Sequence, residues 1–326
     1  MTDSPSNVLQ VGLSPDEFVR ELVIARRAAA SDCVVELHLE SPDGGPLPAW
    51  QPGAHVDLLL PSGMVRQYSL AGDPADRSMY RLGVLLAPDS RGGSIEVHEK
   101  LLAGSLVTIR GPRNNFQLRP AKNYVFIAGG VGITPILPMV AAAAAAGADW
   151  RLYYGGRALE TMAFTSELEA YGDRVELYPE DTRGFIPFDQ VLDDPTALVY
   201  CCGPEPLLLA VERTITDWPV GQLQVERFAP KEIEHDPDHA FDVELARSDL
   251  TLTVPSDKSI VQVARDAGVD VITSCEEGMC GTCETQVLEG TPEHRDSIMS
   301  AEEHDSESSM AICVSRSRTP RLVLDL

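Results

Sequence analysis

Apolar and polar residues alternate in short runs through the first third of the chain. Val34-Val35-Glu36-Leu37-His38-Leu39, Ala54 to Leu60, Tyr80 to Leu86 and Leu106 to Ile109 read as strands of period two, punctuated by Gly and Pro. One helical stretch interrupts them near Gly93 to Leu102. Short strands at this spacing predict a small antiparallel β-barrel ending near residue 118. Residues 1–15 are polar and expected to be mobile.

Beyond residue 120 the pattern becomes strand, glycine turn, helix, strand, the signature of a parallel α/β sheet. Tyr124 to Ala128 is an apolar strand, Gly129 to Gly132 a turn, and Pro135 to Ala146 a helix closed by Gly147. Strands follow at Arg151–Tyr154, Val175–Tyr178, Ala197–Cys201 and Leu223–Phe228. A charged, Pro-containing stretch from Ala229 to Ala240 reads as a linker. Phe241 to Leu245 and Leu250 to Val254 then alternate as a hairpin, and Ile260, Val263, Ala264 and Ala267 recur with helical period before Gly268.

At 326 residues, with 44% hydrophobic and 23% charged, the chain is long enough for two or three domains with ordinary cores. No apolar run suits a membrane span and no signal peptide is visible, so a cytoplasmic protein is expected. A net charge of −24 argues against nucleic acid as a partner. Residues 241–326 hold 17 Asp and Glu against 7 Lys and Arg. That balance suits docking on a basic protein patch, or simply solubility. No heptad pattern stands out, and a monomer meeting its partner transiently is expected.

Four of the seven cysteines change the picture. Cys275, Cys280, Cys283 and Cys313 are spaced C-x4-C-x2-C and then a distant C, the thiolate pattern of a plant-type [2Fe-2S] cluster. Gly278 and Gly281 let the loop turn tightly and aim N–H groups at sulfur. A zinc site drawing on Cys280, Cys283, His235 and His239 would leave Cys275 and Cys313 unexplained. The hairpin, helix and cysteine loop resemble the β-grasp ferredoxin domain.

Three further segments carry candidate chemistry. Gly129-Gly130-Val131-Gly132-Ile133-Thr134-Pro135 follows a strand and opens a helix, where backbone can approach a pyrophosphate, with Thr134 as N-cap and Pro135 in the first turn. Cys202-Gly203-Pro204 follows the strand ending at Cys201 on the carboxyl side of the same sheet, where ligands bind in such folds. Cys201 and Cys33 read as core filler. In the barrel, Arg66 offers a fork for phosphate, Tyr68 an aromatic face and Ser69 a hydroxyl, with Gly92-Gly93-Ser94 at a helix start. Each alone could be an ordinary turn, strand or cap.

Together, Arg66-Gln67-Tyr68-Ser69, Arg91-Gly92-Gly93-Ser94, Gly129 to Pro135, Cys202-Gly203-Pro204 and Glu226-Arg227-Phe228 resemble the ferredoxin-NADP reductase superfamily. With the cluster domain at the carboxyl end, nearly all of residues 16–326 resembles the phthalate dioxygenase reductase and vanillate O-demethylase reductase family. Pattern and resemblance divide the chain into an antiparallel β-barrel flavin domain (16–119), a Rossmann-like α/β nucleotide domain (120–228), a linker (229–240) and an α+β β-grasp ferredoxin domain (241–326).

The resemblance implies FMN held by Arg66, Gln67, Tyr68, Ser69, Arg91, Gly92, Gly93 and Ser94, with Thr134 close by and Phe228 over the ring. It implies NAD bound by Gly130, Gly132, Arg157, Cys202, Gly203 and Pro204. Hydride transfer is then positioned by Cys202, Thr134 and Ser69, and the cluster ligands are the four cysteines. NADH is favoured over NADPH because Glu180 and Asp181 would repel a 2′-phosphate if they lie near Arg157. The implied partner is a Rieske-type terminal oxygenase acting on an aromatic or similar small molecule. An FAD-bearing reductase of a di-iron or steroid-type oxygenase, or a redox-sensing regulator, remains as an alternative.

Overall fold

The computed structural model describes residues 18–88, 90, 92–230, 235, 237–298 and 308–326. Arg91 and the polar amino-terminal segment lie outside the described residues. Residues 18–228 form one compact unit and 229–326 belong to another.

The first unit begins with six antiparallel strands: β1 (Val19–Ala29), β2 (Val34–Glu40), β3 (His55–Leu59), β4 (Val65–Ser69), β5 (Met79–Leu85) and, after helix α1 (Gly93–Lys100), β6 (Leu106–Arg113). Their order is β4-β3-β6-β1-β2-β5, and a Leu70–Leu82 bridge brings the two edges together as a barrel. Alternation explains the closure: Leu22, Ile24, Leu37, Leu39, Val56, Leu58, Leu82 and Ile109 all point inward and are fully buried. The sequence pattern misses β1, where a register shift between Ile24 and Arg26 breaks the alternation. Inside the barrel wall Asp57 is fully buried and accepts hydrogen bonds from Arg110 (2.7 Å) and Gln67 (3.0 Å), tying β3 to β6 and β4.

The chain then builds β7 (Asn123–Gly129), α2 (Ile133–Ala145), β8 (Asp149–Gly156), α3 (Thr165–Leu168), β9 (Val175–Pro179), α4 (Glu180–Arg183), α5 (Phe188–Val191), β10 (Leu198–Cys202), α6 (Glu205–Thr214) and β11 (Leu223–Glu226). All five strands are parallel in the order β11-β10-β7-β8-β9. The sequence direction reverses between β7 and β10, so the ligand crevice of such a sheet lies at the carboxyl ends of these two strands. Barrel and sheet share one core: Val34 and Ala71 join Phe126, Ile136, Tyr154 and Phe164. Arg81 of β5 reaches Glu167 of α3 at 2.9 Å and lies over the Phe164 ring.

The second unit is a mixed sheet in the order β13-β12-β18-β14-β16, from β12 (Phe241–Leu245), β13 (Leu250–Val254), α7 (Ile260–Asp266), β14 (Glu284–Glu289), β15 (Pro292–Glu293), β16 (Ser309–Ala311), β17 (Arg316–Ser317) and β18 (Arg321–Leu324). β15 pairs with β17 apart from it. β12 and β18 run parallel at its centre, with α7 packed beneath, the β-grasp arrangement. The predicted hairpin and helix are therefore present. Arg316 is buried and donates to the carbonyls of His239, Pro255 and Lys258, while Asp238 meets Arg295 at 2.7 Å.

Candidate functional site

The glycine turn and the Cys202 turn meet at the reversal between β7 and β10. A Cβ on Gly132 would fall 2.5 Å from the Cys202 carbonyl carbon and 2.8 Å from the Gly203 nitrogen, and one on Gly129 would fall 2.7 Å from Pro204 Cδ. Only glycines allow two loops to lie backbone against backbone here. Gly130 adopts φ +54° with open space around it, and its carbonyl accepts a hydrogen bond from Tyr154 Oη at 3.0 Å.

Thr134 is not the N-cap. A 3-10 turn over Gly130–Gly132 runs straight into α2, Gly132 takes the cap position, and Thr134 sits in the first helical turn. Its Oγ1 donates to the Val131 carbonyl at 2.9 Å, and its methyl group faces Gly83 of β5, where a Cβ would approach within 2.8 Å. Thr134 is thus buried at the seam between barrel and sheet.

Cys202 and Cys201 point to opposite faces of β10, as strand alternation requires. Both are fully buried, Cys201 in the core beneath α6 and Cys202 toward α2. Burial pushes the Cys202 thiol well above the usual range, so it stays protonated and is no thiolate nucleophile. Its Sγ lies 4.0 Å from Glu226 Oε2 at the end of β11. The sequence offers Glu226 only as part of a motif, yet desolvation of its carboxyl pushes it up to about 8. The residue as a whole is half-buried, and a solitary Glu at a strand end carries no sequence signal that its carboxyl is desolvated.

Next to it, Arg227 donates to Glu205 (3.0 Å) and Glu212 (2.6 Å) of α6 and anchors the strand end. Phe228 is 43% exposed, which excludes an ordinary core aromatic.

In the barrel, β4 alternation sends Arg66 and Tyr68 to one face and Gln67 and Ser69 to the other. The Arg66 side chain lies against the start of α1, where a Cβ on Gly93 would fall 2.5 Å from Nε and 2.9 Å from Cγ. Gly92 caps that helix at φ 100°. Arginine, glycines and the first N–H groups of α1 form a cradle suited to a phosphate. Ser94 Oγ bonds Ser90 Oγ (2.8 Å) and accepts from Ala87 N. Tyr68 is half-buried, and desolvation pushes its hydroxyl up to about 12. Ser69 is buried, and Gln67 is turned away to Asp57.

Arg157 is exposed just beyond β8, and the Asp181 N–H donates to its carbonyl at 3.2 Å. The acidic pair Glu180 and Asp181 is therefore beside Arg157, the condition that disfavours a 2′-phosphate.

In the second unit the sulfurs stand in two pairs. The Cys275 thiol donates to Cys280 at 3.3 Å, and Cys313 donates to Cys283. In each pair the hydrogen bond between the sulfurs holds the acceptor thiol low and the donor high. Among the described residues no three His, Cys, Asp or Glu side chains converge on one point. Two thiols on each of two centres is the donor set of a [2Fe-2S] rhomb, and it does not suit a single zinc.

The loop supports the fit. Glu277 and Met279 N–H groups point at Cys275 sulfur (3.3 and 3.5 Å), and Gly278 N–H points at Cys313. Gly278 has φ +69°, and a Cβ there would strike Val314 Cγ2 at 2.6 Å.

Residues 243–318 match the family described as the 2Fe-2S iron-sulfur cluster binding domain, and residues 126–213 match the oxidoreductase NAD-binding domain. The phthalate 4,5-dioxygenase oxygenase reductase subunit of Pseudomonas putida is 37% identical over 95% of this chain and 98% of its own length. This chain belongs to the phthalate dioxygenase reductase family. Another relative, vanillate O-demethylase oxidoreductase of Pseudomonas putida, is 39% identical over 95% of this chain and all of its own length.

The solved structure of phthalate dioxygenase reductase, described as modular for electron transfer from pyridine nucleotides to [2Fe-2S], superposes with a TM-score of 0.70 at 35% identity, covering 94% of this chain and 98% of that one. An intact type IV self-sufficient cytochrome P450 monooxygenase gives 0.88 at 39% identity over 94% of this chain. This member of the phthalate dioxygenase reductase family spans 41% of that longer chain. Among the described residues no helix is long and apolar enough to cross a membrane.

Proposed function

We propose that the chain is the reductase component of a multicomponent, Rieske-type oxygenase. It takes hydride from NADH onto FMN and passes single electrons through a [2Fe-2S] cluster to the terminal oxygenase. The observation that carries this reading is the conjunction of a glycine crevice at the β7–β10 reversal, an arginine-glycine cradle in the adjoining barrel, and two thiol pairs in the second unit.

A bound flavin supplies an acceptor that takes a hydride and releases electrons singly, which a cluster requires. Residues 16–119 form the flavin domain in this reading, 120–228 the nucleotide domain, 229–240 the linker and 241–326 the cluster domain. Arg66, Gly92, Gly93 and Ser94, with Arg91, hold the flavin phosphate side. Tyr68, Ser69 and the Gln67 backbone line the ring, with Thr134 behind it and Phe228 over its face. Gly130, Gly132, Gly203 and Pro204 admit the dinucleotide pyrophosphate, and Arg157 steadies its far end.

Cys202, Thr134 and Ser69 act by orientation, since the Cys202 thiol stays protonated and no acid or base is needed for hydride transfer. Cys275, Cys280, Cys283 and Cys313 hold the iron. The protein works as a cytoplasmic monomer that meets its oxygenase transiently. With four cysteines on iron, only Cys33 and the buried Cys201 and Cys202 remain, too few for the disulfide framework of an exported protein.

Anaerobic titration with NADH, followed by visible absorbance, tests the sequence of carriers. Flavin bands and the broad iron-sulfur absorbance should bleach together; an unresponsive flavin, or no iron-sulfur absorbance, overturns it. Chromatography of the released flavin decides FMN against FAD. The likeness to the P450 monooxygenase favours one second reading, a cytochrome P450 as terminal acceptor. Reduction of a purified P450 but not of a Rieske oxygenase would select it.

A further inference from the structure

The carboxyl end of the linker is held by the cluster unit. Asp238, inside the stretch read as linker, meets Arg295 Nη1 at 2.7 Å, and Arg316 Nε stands 3.7 Å away. The residue after it is held separately: the His239 carbonyl accepts a hydrogen bond from Arg316 Nη2 at 2.8 Å, and that guanidinium lies 5.2 Å from the centre of the Phe241 ring. The Arg295 side chain is largely enclosed, and Glu293 accepts from its Nη2 at 3.0 Å.

Arg295 also opens a strap that touches both cysteine segments. Its N–H donates to Ser315 Oγ at 3.2 Å, two residues beyond Cys313. The next residue, Asp296, is buried, and its Cα lies 3.1 Å from where a Gly278 Cβ would stand. Ser297 N–H then donates to the Gly278 carbonyl at 2.8 Å. Gly278 lies between Cys275 and Cys280, and its own N–H points at Cys313. Three consecutive residues therefore take hold of the linker, the Cys313 segment and the Cys275–Cys280 loop.

We propose that Arg295 is a positioning residue for flavin-to-cluster electron transfer, joining the linker through Asp238 to the loops that hold the cluster. This rests on the carrier sequence proposed above. In that step one electron leaves the reduced flavin and enters the oxidised cluster, and no bond forms or breaks at the cluster. Its rate therefore depends on how the cluster is presented rather than on an acid or a base. A chain that enters the cluster unit at a fixed point narrows the range of presentations, which raises the effective concentration of one carrier at the other. An arginine needed only for stability is already paired by Glu293, whereas the bond to Asp238 ties the linker to the cluster loops.

Flash reduction of the flavin in the holoprotein, followed by absorbance at the flavin and cluster bands, reads the transfer step directly. Iron content, the midpoint potential of the cluster and NADH-driven ferricyanide reduction are measured on the same samples. Asp238→Asn should leave all three at wild-type values and slow flavin-to-cluster transfer about 2- to 30-fold. Arg316 still holds His239 in that variant, so the unit keeps its fold. Arg295→Lys, which keeps the charge, should fall between wild type and Asp238→Asn, and the double variant should be no slower than the slower single one. Wild-type transfer in Asp238→Asn, additive losses in the double variant, or slowing accounted for by lost iron would each overturn the proposal. A flash-reduced wild-type flavin that passes no electron to the cluster would defeat the carrier sequence itself, and this inference with it.

Discussion

Gly132 lies flat on the backbone of Cys202, so close that any side chain there would occupy the space of the peptide joining Cys202 to Gly203. Gly130, two residues earlier, has no protein atom near its Cβ position and takes a left-handed φ of 54°. The two glycines serve one turn for different reasons, and substitution separates them.

Gly132→Ala must push the β7 and β10 turns apart. Displacing the crevice by an ångström should cost NADH-ferricyanide activity about 100-fold and lower the melting temperature. Gly130→Ala leaves the two turns in contact and should cost about 1–2 kcal/mol of backbone strain, with a smaller loss of activity that falls on KM for NADH, because the methyl group enters the space proposed for the pyrophosphate. Activity and thermal unfolding of the two variants check this, and equal losses would refute the distinction.

Gly93→Ala is expected to act on the flavin. A Cβ there displaces Arg66 from the start of α1. Loss of a charged hydrogen bond is worth about 1.5–3 kcal/mol, so the flavin dissociation constant should rise about 10- to 100-fold. Flavin-to-protein ratio after gel filtration reads the outcome, and iron content should be unchanged.

Cys280→Ser should leave NADH-driven ferricyanide reduction largely intact while abolishing cytochrome c reduction through the cluster. Equal loss of both would place the cluster before the flavin and sink the proposed order.

Glu226 gives the chain a pH-dependent stability. Its carboxyl titrates near 8 when enclosed and near the ordinary 4.5 when the chain unfolds. Between those values the native state keeps a proton that the unfolded state has released, so stability falls as pH rises, and the loss is complete above about 8. Melting temperatures at pH 6 and pH 9 should show a larger fall for wild type than for Glu226→Gln. Equal falls would mean that the carboxyl ionises freely.

Much of this was legible in the residues because it depends on chain spacing. C-x4-C-x2-C dictates a tight loop of thiols wherever it occurs, and a glycine turn between an apolar strand and a helix reports a close approach. The missing pieces depend on three-dimensional neighbours. Whether Gln67 or Arg66 faces the cradle follows from the β3–β4 register, which pairs Gln67 with Asp57. Thr134 has the chemistry of an N-cap, but the preceding 3-10 turn starts the helix one residue before it. The titration of Glu226 arises from what surrounds it, and the residue type does not announce it.

The pairing of the sulfurs has a polymer consequence. Cys275 and Cys280 lie within one loop, so an iron between them closes only a short ring of chain. Cys283 and Cys313 stand far apart in sequence, on either side of β14, β15 and β16. A metal held by that second pair would act as a cross-link, and would shrink the conformational freedom of the unfolded chain as a disulfide does. Chelating the metal should therefore uncouple electron transfer and, in the same act, cut the longest staple in the carboxyl-terminal unit.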